Sequence, residues 1–458
     1  MLYSRLRQLD QRGETIQVGL IAAGTFGTQI VAQMSHATGM RMAAVADLDM
    51  IKARRAFECG GGDPAAVQTA ENSAQIDAAI AAGRPAVTTS AAALMASRVD
   101  VVIEATGNVE VGADHARSAI AQGKHVVMVT VEADVVVGNH LRALADRAGV
   151  LYSAAYGDEP ALAFELWDWA RALGFRVVAA GKGTRYRTAF RKCNPDDVAG
   201  TYGFTGSDYN AQMFGSFLDG TKHNIEMTAL ANMTGLVPDV RGMHFPAADY
   251  RDIPDTLCTR GQGGVLGQEG VVEAVSSIDE SEVEVERGLR GGLYCVVDGQ
   301  VPFIVESLGS YGPIIGQYIG ARSGYTMIWR PQHWCGHEMP ITVARMVLHG
   351  ETCGTPVGQY ADVIASAKKP LVAGTVLDGE GGYCVYGMIE KASVVRCEGL
   401  VPLGLTQGAV LLRDVAEDEA IRYEDVELRQ TPVLEMRRLQ DAAEEVSASE
   451  PPPMETET

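Results

Sequence analysis

The sequence lacks a long apolar run, a paired-cysteine motif and a surplus of basic residues. No apolar stretch approaches the roughly 20 residues that a membrane span requires, and residues 1–14 are polar, which predicts no signal peptide. The eight cysteines contain no C-x-x-C pair, so they support neither a zinc site nor a disulfide framework. A net charge of −20 argues against nucleic acid or an anionic membrane as a general partner. The sequence therefore predicts a cytoplasmic protein that binds neither of them.

A glycine-rich turn near the N-terminus lacks its usual first glycine, because Ala22 stands there. An apolar run over 18–21 ends in this turn, and a helical pattern over 28–34 follows, which is the arrangement of a dinucleotide-binding unit. Gly24 leaves room for the backbone to approach a pyrophosphate, and Gly27 lets the helix pack close to the strand. The helix N-terminus offers free N–H donors. We therefore predict that the pyrophosphate lies against Gly24, Thr25, Phe26 and Gly27.

An acidic residue after the next predicted strand bears on the choice of cofactor. The apolar run 42–46 ends at Asp47, twenty residues after the last glycine of the turn, where a carboxylate would meet the adenosine ribose hydroxyls. Asp47 favours NAD, whereas the nearby cations Lys52, Arg54 and Arg55 would receive the 2′-phosphate of NADP. An aspartate that ends a strand is also an ordinary turn residue, so Asp47 needs support from its context.

Two further apolar runs supply that context. Residues 101–103 precede Ala105, Thr106 and Gly107, where a nicotinamide ribose would lie. Residues 126–131 precede Glu132, which is also predicted to bind the cofactor. Three strands in this order predict a dinucleotide-binding domain. The alternative is a Rossmann-like domain that binds no nucleotide or a different one.

The length of the chain and the changes in composition along it divide it into regions. With 458 residues the chain has room for two or three cores. Short strands and turns predominate from about residue 362, and the final stretch is acidic with three consecutive prolines. We predict an α/β protein with a Rossmann-type nucleotide domain over 1–150, an α+β catalytic domain over 151–360, a small all-β module over 361–430 and a disordered acidic tail over 441–458.

A basic run interrupts this acidic chain at the end of a strand predicted over 175–180. Residues 182–192 contain no acid and five cations, namely Lys182, Arg185, Arg187, Arg191 and Lys192. One interpretation is that the run binds an anionic substrate. The other is that it is a solvated loop paired with nearby carboxylates, and composition alone does not separate the two.

A second candidate lies on a predicted helix that begins near Asp219. Asp219, Lys222 and Glu226 are spaced i, i+3 and i+7, which places them on one face of that helix. A lysine between two carboxylates can be positioned as a proton donor or a charge stabiliser. An ordinary surface ladder of ion pairs would have the same spacing.

The rest of the second region is predicted to contain a sheet and one candidate functional histidine. Alternating apolar residues over 271–275 and 293–297 favour an antiparallel sheet as the platform of the catalytic domain. His333 follows Arg330 and is either an acid/base group or ligand, or a structural histidine with satisfied hydrogen bonds.

With these residues, the chain resembles the homoserine-dehydrogenase-like oxidoreductases that carry a C-terminal SAF domain. Within them it is similar to the deoxyxylulose-5-phosphate reductoisomerase-like enzymes of isoprenoid biosynthesis. The resemblance runs from residue 18 to about residue 426, and its most specific pieces are 181–184, 217–227, 330–333 and 377–383.

The resemblance implies a chemistry and a set of site residues. It implies NADPH, or NADH, together with Mg²⁺ or Mn²⁺, and rearrangement of a phosphorylated ketose before its reduction. Lys182 and Arg185 would hold the phosphate, and Lys222 would stabilise an alkoxide that Asp219 and Glu226 orient or supplement with a metal. The catalytic residues so implied are Lys182, Asp219, Lys222, Glu226 and His333, and the substrate-binding residues are Arg185, Arg187 and Arg330. We expect a homo-oligomer with a small anionic substrate.

Two other functions stay open. The same dehydrogenase chemistry could serve another small hydroxy acid or a polyol, because sites vary widely on one fold. The third possibility is a non-catalytic binding protein in which the SAF module is the working part.

Overall fold

The computed structural model describes residues 1–205, 209–315 and 318–449. The N-terminal region forms a seven-stranded parallel sheet in the order β3-β4-β2-β1-β5-β6-β7, as the Rossmann prediction requires. Its central strands are nearly continuous apolar runs because helices cover both faces of the sheet. The strands are β1 (Ile16–Ile21), β2 (Met40–Ala46), β3 (Gln68–Thr69), β4 (Ala86–Thr88), β5 (Val101–Glu104), β6 (His125–Met128) and β7 (Tyr152–Ala154).

Seven helices accompany this sheet in the described part of the region. The first precedes β1, and the last follows β6. The helices are α1 (Leu2–Gln11), α2 (Thr25–Met34), α3 (Met50–Cys59), α4 (Ser73–Ala81), α5 (Ala91–Met95), α6 (Val109–Ala121) and α7 (Val131–Ala148).

The second region is built on a five-stranded sheet in the order β12-β11-β8-β10-β9. Both strands expected from the alternating pattern are present, but the prediction of an antiparallel sheet is wrong in part, because β10 pairs parallel with β8 and β9, whereas β11 pairs antiparallel with β8 and β12. The strands are β8 (Arg176–Thr184), β9 (Val237–Pro238), β10 (Val271–Ser276), β11 (Leu293–Asp298) and β12 (Thr326–Arg330). The helices are α8 (Glu159–Ala172), α9 (Val198–Tyr202), α10 (Ala211–Leu218), α11 (Thr221–Thr234), α12 (Ile253–Thr256) and α13 (Pro302–Ile315).

The C-terminal region contains the small antiparallel sheets that were predicted, and also a helix that was not. β13 (Ala361–Ala367) pairs with β14 (Val385–Lys391), and β15 (Val410–Leu411) pairs with β16 (Val426–Glu427). Between them lies α15 (Ala392–Glu398), so the region is not all β.

A final helix, α16 (Pro432–Ser449), covers part of the predicted tail. The expectation of disorder from residue 441 is therefore wrong as far as residue 449, where this helix ends. Val433, Met436 and Gln440 lie on one face of α16 and are buried, which anchors the helix to the rest of the protein. The remaining residues, 450–458, lie outside the described part.

The three regions pack into one body. Val363 and Leu403 of the C-terminal region share a core with Ala116 and Val136 of the nucleotide domain. Another helix, α14 (Met339–His349), follows the second sheet but buries its apolar face against α1 and α2. Among the described helices, none is long and apolar enough to cross a bilayer. The second region thus packs on the nucleotide domain through α14 and through α11, which contacts α7.

Candidate active site

The turn between β1 and α2 has the form that a bound pyrophosphate needs. Ala22 takes the positive φ of 75° that a first glycine usually supplies. A Cβ on Gly27 would clash with the carbonyl oxygen of Ala22, so this position requires glycine. Gly24 is the N-cap of α2 and provides no capping side chain, which leaves the N–H groups that include those of Thr25 and Phe26 directed out of the helix end.

The Asp47 carboxylate stabilises this turn through hydrogen bonds with backbone N–H groups. Its Oδ2 accepts a hydrogen bond from the Ala23 N–H at 2.7 Å, and its Oδ1 accepts one from the Asp49 N–H at 2.8 Å. Lys52 and Arg55 are exposed, whereas the Arg54 guanidinium donates to the Val67 carbonyl and the Thr69 hydroxyl beside β3. Of the three cations that could receive the 2′-phosphate of NADP, Arg54 is therefore already hydrogen-bonded within the protein.

The turn after β5 is held by buried polar groups. Thr106 N–H donates to Glu104 Oε1 at 3.2 Å, and Gly107 N–H donates to Thr130 Oγ1 at 2.9 Å. Thr130 in turn donates to the fully buried Glu104 carboxylate. Sequence patterns missed Thr130 because its partner lies 26 positions away in the chain. Ala105, Thr106 and Gly107 thus sit at the carboxyl end of β5, where ligands bind on such sheets.

The strongest cluster of charges in the second region is centred on Lys182. The Lys182 Nζ donates to Glu159 Oε1 at 2.7 Å and to Glu226, and all three residues are buried. Burial works against the ammonium, but these two carboxylates raise the pKa of Lys182 above its usual value. Glu159 was not among the predicted site residues, although its place at the N-terminus of α8, directly after Asp158, was a usable signal.

Lys182 does not belong to a basic loop. Strand β8 continues to Thr184, and Lys182 pairs in register with Ala274 on β10 and Leu293 on β11. The strand was predicted to end at residue 180, and that prediction is wrong. Glycines flank Lys182 because a Cβ at either position would clash with a backbone carbonyl of a neighbouring segment.

His333 joins the same cluster from the segment between β12 and α14. Its Nε2 lies 3.6 Å from Glu159 Oε1, and its Nδ1 lies 2.8 Å from the Gly291 carbonyl oxygen. Burial lowers the pKa of His333, but the hydrogen bond with Cys335 and the charge of Glu159 outweigh it and raise that pKa to about 10. The imidazole is therefore charged at neutral pH.

The segment that carries His333 also touches the glycine turn. A Cβ on Gly336 would lie 2.8 Å from Gln29 Cβ and 3.0 Å from the Phe26 carbonyl oxygen of α2. The charged cluster around Lys182 and the N-terminus of α2 are therefore linked by the residues between His333 and Gly336. The contact between Gly336 and α2 thus brings the predicted cofactor-binding turn close to the charged residues around Lys182.

Lys222 has different partners from those predicted. Lys222 pairs with Glu132 in the first turn of α7, and Asp219 pairs with Lys368 at 2.7 Å, so the predicted arrangement of Lys222 between Asp219 and Glu226 is wrong. The reason is that α11 begins at Thr221, which leaves Asp219 outside the helix, where its carboxylate accepts the Thr221 N–H. The lysine held between two carboxylates is Lys182.

The cations predicted to bind substrate are all paired. Three arginines pair with carboxylates: Arg185 with Glu284 at 3.1 Å, Arg187 with Glu282, and Arg330 with Glu338 at 2.8 Å. Lys192 pairs with Asp418 at 2.5 Å, and Arg191 donates a hydrogen bond to the Tyr186 hydroxyl at 3.1 Å. This is the second of the two interpretations that the composition left open. Ion pairs of this exposed kind are weak, about 1 kcal/mol or less, so an incoming anion can replace the carboxylate.

Carboxylates outnumber lysines in the cluster. Oxygens of Asp158, Glu159 and Glu226 all lie within 4.8 Å of one another, a spacing that also suits a metal ion. Burial and the charge of Glu159 raise the pKa of Glu226 to about 7, and burial raises that of Asp158 well above its usual range. The charges of Lys182 and His333 overcome the effect of burial on Glu159 and lower its pKa. The site therefore holds both an ionised carboxylate and carboxyls that retain protons near neutral pH.

Two protein-family models match the chain. The model described as the NAD-binding domain of homoserine dehydrogenase matches residues 22–154. The model described as the catalytic domain of oxidoreductase DRL matches residues 157–339. The first match contains the glycine turn, and the second contains the cluster around Lys182. The chain is an NAD(P)-dependent oxidoreductase.

Several solved structures are similar at low identity, and no curated protein matches. A 3-ketoreductase from Actinomadura kijaniata, solved with TDP-benzene and NADP, is 19% identical over 38% of this chain and 50% of its own, with a TM-score of 0.27. Scyllo-inositol dehydrogenase from Lactobacillus casei, with NAD(H) and scyllo-inositol, is 12% identical over 75% and 92% of the two chains, with a TM-score of 0.38. The chain thus spans half the length of the first and most of the second.

Proposed function

We propose that the chain reduces the carbonyl group of a small hydroxylated substrate, with Lys182 as the proton donor to the substrate oxygen while NAD(P)H supplies the hydride. The observation that supports this most strongly is the Lys182 ammonium held between Glu159 and Glu226 in the region matched by an oxidoreductase catalytic domain. The reverse reaction, oxidation of an alcohol, uses the same groups in the opposite direction.

The electrostatics of the cluster suit proton transfer. A buried ammonium next to a carbonyl oxygen stabilises the negative charge that develops there as hydride arrives. Glu226, whose pKa lies at about 7, can then return a proton to Lys182, because the two are already hydrogen-bonded. Glu226 Oε1 is buried and has no hydrogen-bond partner among the described residues, so it is free to receive a substrate hydroxyl.

The specific substrate that we propose is a sugar phosphate such as deoxyxylulose 5-phosphate, which the enzyme would rearrange and then reduce. Arg185 and Arg187 support a phosphate subsite because they follow Lys182 on the same strand end and their ion pairs are partly exposed. The second candidate is a non-phosphorylated polyol or hydroxy acid. It is favoured by the surplus of carboxylates, which accept hydrogen bonds from hydroxyl groups and repel a phosphate.

For a sugar-phosphate substrate, we also propose that the site binds a divalent metal ion. Asp158, Glu159 and Glu226 would hold Mg²⁺ or Mn²⁺, since these ions prefer carboxylate oxygens and one oxygen of Glu226 has no other partner. Such an ion would act as a Lewis acid on the substrate oxygens. Lys182 already bonds to two of the three carboxylates, so the ion would share them with the ammonium.

The test is oxidation of NADPH and of NADH by the purified protein, offered deoxyxylulose 5-phosphate, its unphosphorylated counterpart, and a set of keto acids and ketoses. Each is measured with Mg²⁺, with Mn²⁺ and with a chelator. Oxidation that requires both the phosphate and the metal is the expected result for a reductoisomerase. Oxidation only with unphosphorylated compounds selects the second candidate. Tight NAD(P) binding without oxidation of any cofactor would overturn the proposal.

A further inference from the structure

A short acidic turn lies beside the basic residues that follow Lys182. This acidic turn, residues 279–286, contains five carboxylates and follows the carboxyl end of β10, while residues 185–188 follow the carboxyl end of the neighbouring parallel strand β8. The Ser276 hydroxyl donates to the Tyr186 carbonyl at 2.6 Å, so the two segments stay side by side beyond the sheet. Ligands bind beyond the carboxyl ends of strands in open α/β sheets. The acidic turn therefore lies where a group of the substrate is expected.

Two carboxylates of the acidic turn pair with the arginines proposed to hold a phosphate. Arg185 Nε donates to Glu284 Oε1 at 3.1 Å, and Arg187 pairs with Glu282. The arginine side chains are 27% and 26% exposed, whereas those of Glu284 and Glu282 are 60% and 46% exposed. A carboxylate that is already half in water loses little when it rotates away, and such pairs are weak. The glutamates can therefore leave while the arginines keep their positions.

A third carboxylate of the acidic turn accepts hydrogen bonds from Thr188. Glu280 Oε1 accepts the Thr188 N–H at 3.1 Å and the Thr188 hydroxyl at 2.9 Å. The Glu280 carbonyl oxygen accepts a hydrogen bond from Arg187 at 3.1 Å. Guanidinium groups together with N–H and hydroxyl donors are the groups that proteins direct at oxyanions. Arg185, Arg187 and Thr188 thus form an oxyanion subsite that glutamate carboxylates of the same chain occupy.

The backbone of the acidic turn is fixed by its own hydrogen bonds. Asp279 Oδ1 accepts the N–H groups of Ser281 at 2.8 Å and Val283 at 2.9 Å, and the Asp279 N–H donates to the Val283 carbonyl at 3.0 Å. Glu282 has a φ of 65°, a left-handed conformation that is unfavourable for a residue with a Cβ. The turn holds Glu282 in this conformation, with its carboxylate at Arg187. Only side chains therefore need to move when another anion binds.

An anion that binds in this subsite must replace glutamate carboxylates. A ligand carboxylate offers the arginines the same charge and the same two oxygens as a glutamate does, so it gains nothing by the exchange. A phosphate monoester has a charge of about −1.5 to −2 near neutral pH and three acceptor oxygens. It therefore interacts with the two arginines more strongly than the glutamates that it displaces.

We propose that the acidic turn is a specificity filter: its carboxylates occupy the oxyanion subsite of Arg185, Arg187 and Thr188, so that a phosphate ester enters and a carboxylate does not. The inference rests on the proposed function, because it selects the sugar phosphate over the hydroxy acid as the substrate class of the same site. It assigns a role to Glu280, Glu282 and Glu284 as internal competitors of the substrate.

The first test measures binding of inorganic phosphate and of acetate to the whole protein by isothermal titration calorimetry, with chloride added to keep the ionic strength constant. The wild type should bind phosphate weakly and give no binding heat with acetate. In the double variant Glu282→Gln/Glu284→Gln, the Kd for phosphate should fall about three- to tenfold, because two weak competitors are removed. Acetate binding should become measurable in the same variant.

Glu286→Gln is the matched control, because it removes the same charge from the same turn. Glu286 pairs with its neighbour Arg287 at 2.7 Å and not with residues 185–188. This control should bind phosphate as the wild type does. A double variant whose Kd for phosphate equals that of Glu286→Gln would overturn the inference. Unchanged phosphate binding after Arg187→Gln is added to the double variant would also overturn it, because the anion would then bind elsewhere.

The second test measures turnover of deoxyxylulose 5-phosphate and of its unphosphorylated counterpart. In the double variant, the ratio of their kcat/KM values should rise by the factor by which the Kd for phosphate falls. An unchanged ratio would overturn the filter. The first test needs no turnover, so the two proposals fail separately. Tighter phosphate binding in a double variant that oxidises no cofactor would refute the proposed function and keep the subsite, whereas turnover with unaltered phosphate binding would refute this inference alone.

Discussion

Ala22 takes a backbone conformation that normally belongs to glycine. The left-handed region costs a residue with a Cβ about 1–2 kcal/mol, whereas glycine in folded structure loses about 0.5–1 kcal/mol in entropy. Ala22→Gly should therefore stabilise the protein by about 0.5–1 kcal/mol, measured by urea unfolding. Ala23→Gly, at a buried position without positive φ, should destabilise it by about 1 kcal/mol. Equal destabilisation by both would contradict the assignment of strain to Ala22.

Single residues were predictable where their role is local. Gly27 and Asp47 follow from spacing along a strand, a turn and a helix, and the structure places both at the turn. Glu159 was not predictable as a partner of Lys182, since 23 positions separate them and only the packing of α8 on β8 brings them together. Lys222 was misassigned because helical spacing identifies neighbours on one helix, whereas its partner Glu132 lies 90 positions away.

The N-terminus of α2 is the element on which cofactor affinity depends most. A Cβ on Gly24 would meet no protein atom within 4 Å, and its φ of −67° suits alanine. Gly24→Ala should therefore change the free energy of unfolding by no more than about 1 kcal/mol. The added methyl group stands where the pyrophosphate would approach, so the Kd for NADH should rise at least about tenfold.

Fluorescence titration of NADH checks this, with Gly200→Ala as the control. Gly200 is exposed in α9, also has open space around its Cβ, and lies in another region of the chain. Gly200→Ala should leave the Kd unchanged. A Gly24→Ala protein that binds NADH as the wild type does would place the pyrophosphate elsewhere.

Most elements followed from sequence patterns, and the errors have physical causes. Apolar runs located β1, β2, β5 and β6 of the nucleotide sheet, because strands buried on both faces are apolar throughout. The short strands β3 and β4 were missed, since two or three residues form no recognisable run. The direction of pairing in the second sheet did not follow, since alternation of apolar residues shows which face is buried and not which way the neighbour runs. Helix α16 was missed over residues 441–449, where acidic composition outweighed its apolar stripe.

At the scale of the whole molecule, the site exists only because three regions meet. The segment with His333 touches α2, Lys222 pairs with Glu132, and the loop between β13 and β14 lies on α10. These contacts join residues far apart in the chain, so no local pattern contains them. The fold class was predictable from the sequence, whereas the composition of the charged cluster required the packing of the regions.

The rate of NAD(P)H oxidation in Lys182→Met, at saturating substrate, tests the central claim most directly. The control is Lys192→Met, which removes a lysine that pairs only at the surface. Lys182→Met should lower kcat by about 10²- to 10⁴-fold, the usual contribution of a proton donor, with the Kd for NADH unchanged. In the wild type the rate of reduction should fall as pH rises through about 7, because Glu226 then loses the proton that it returns to Lys182. Wild-type turnover in Lys182→Met would contradict the account.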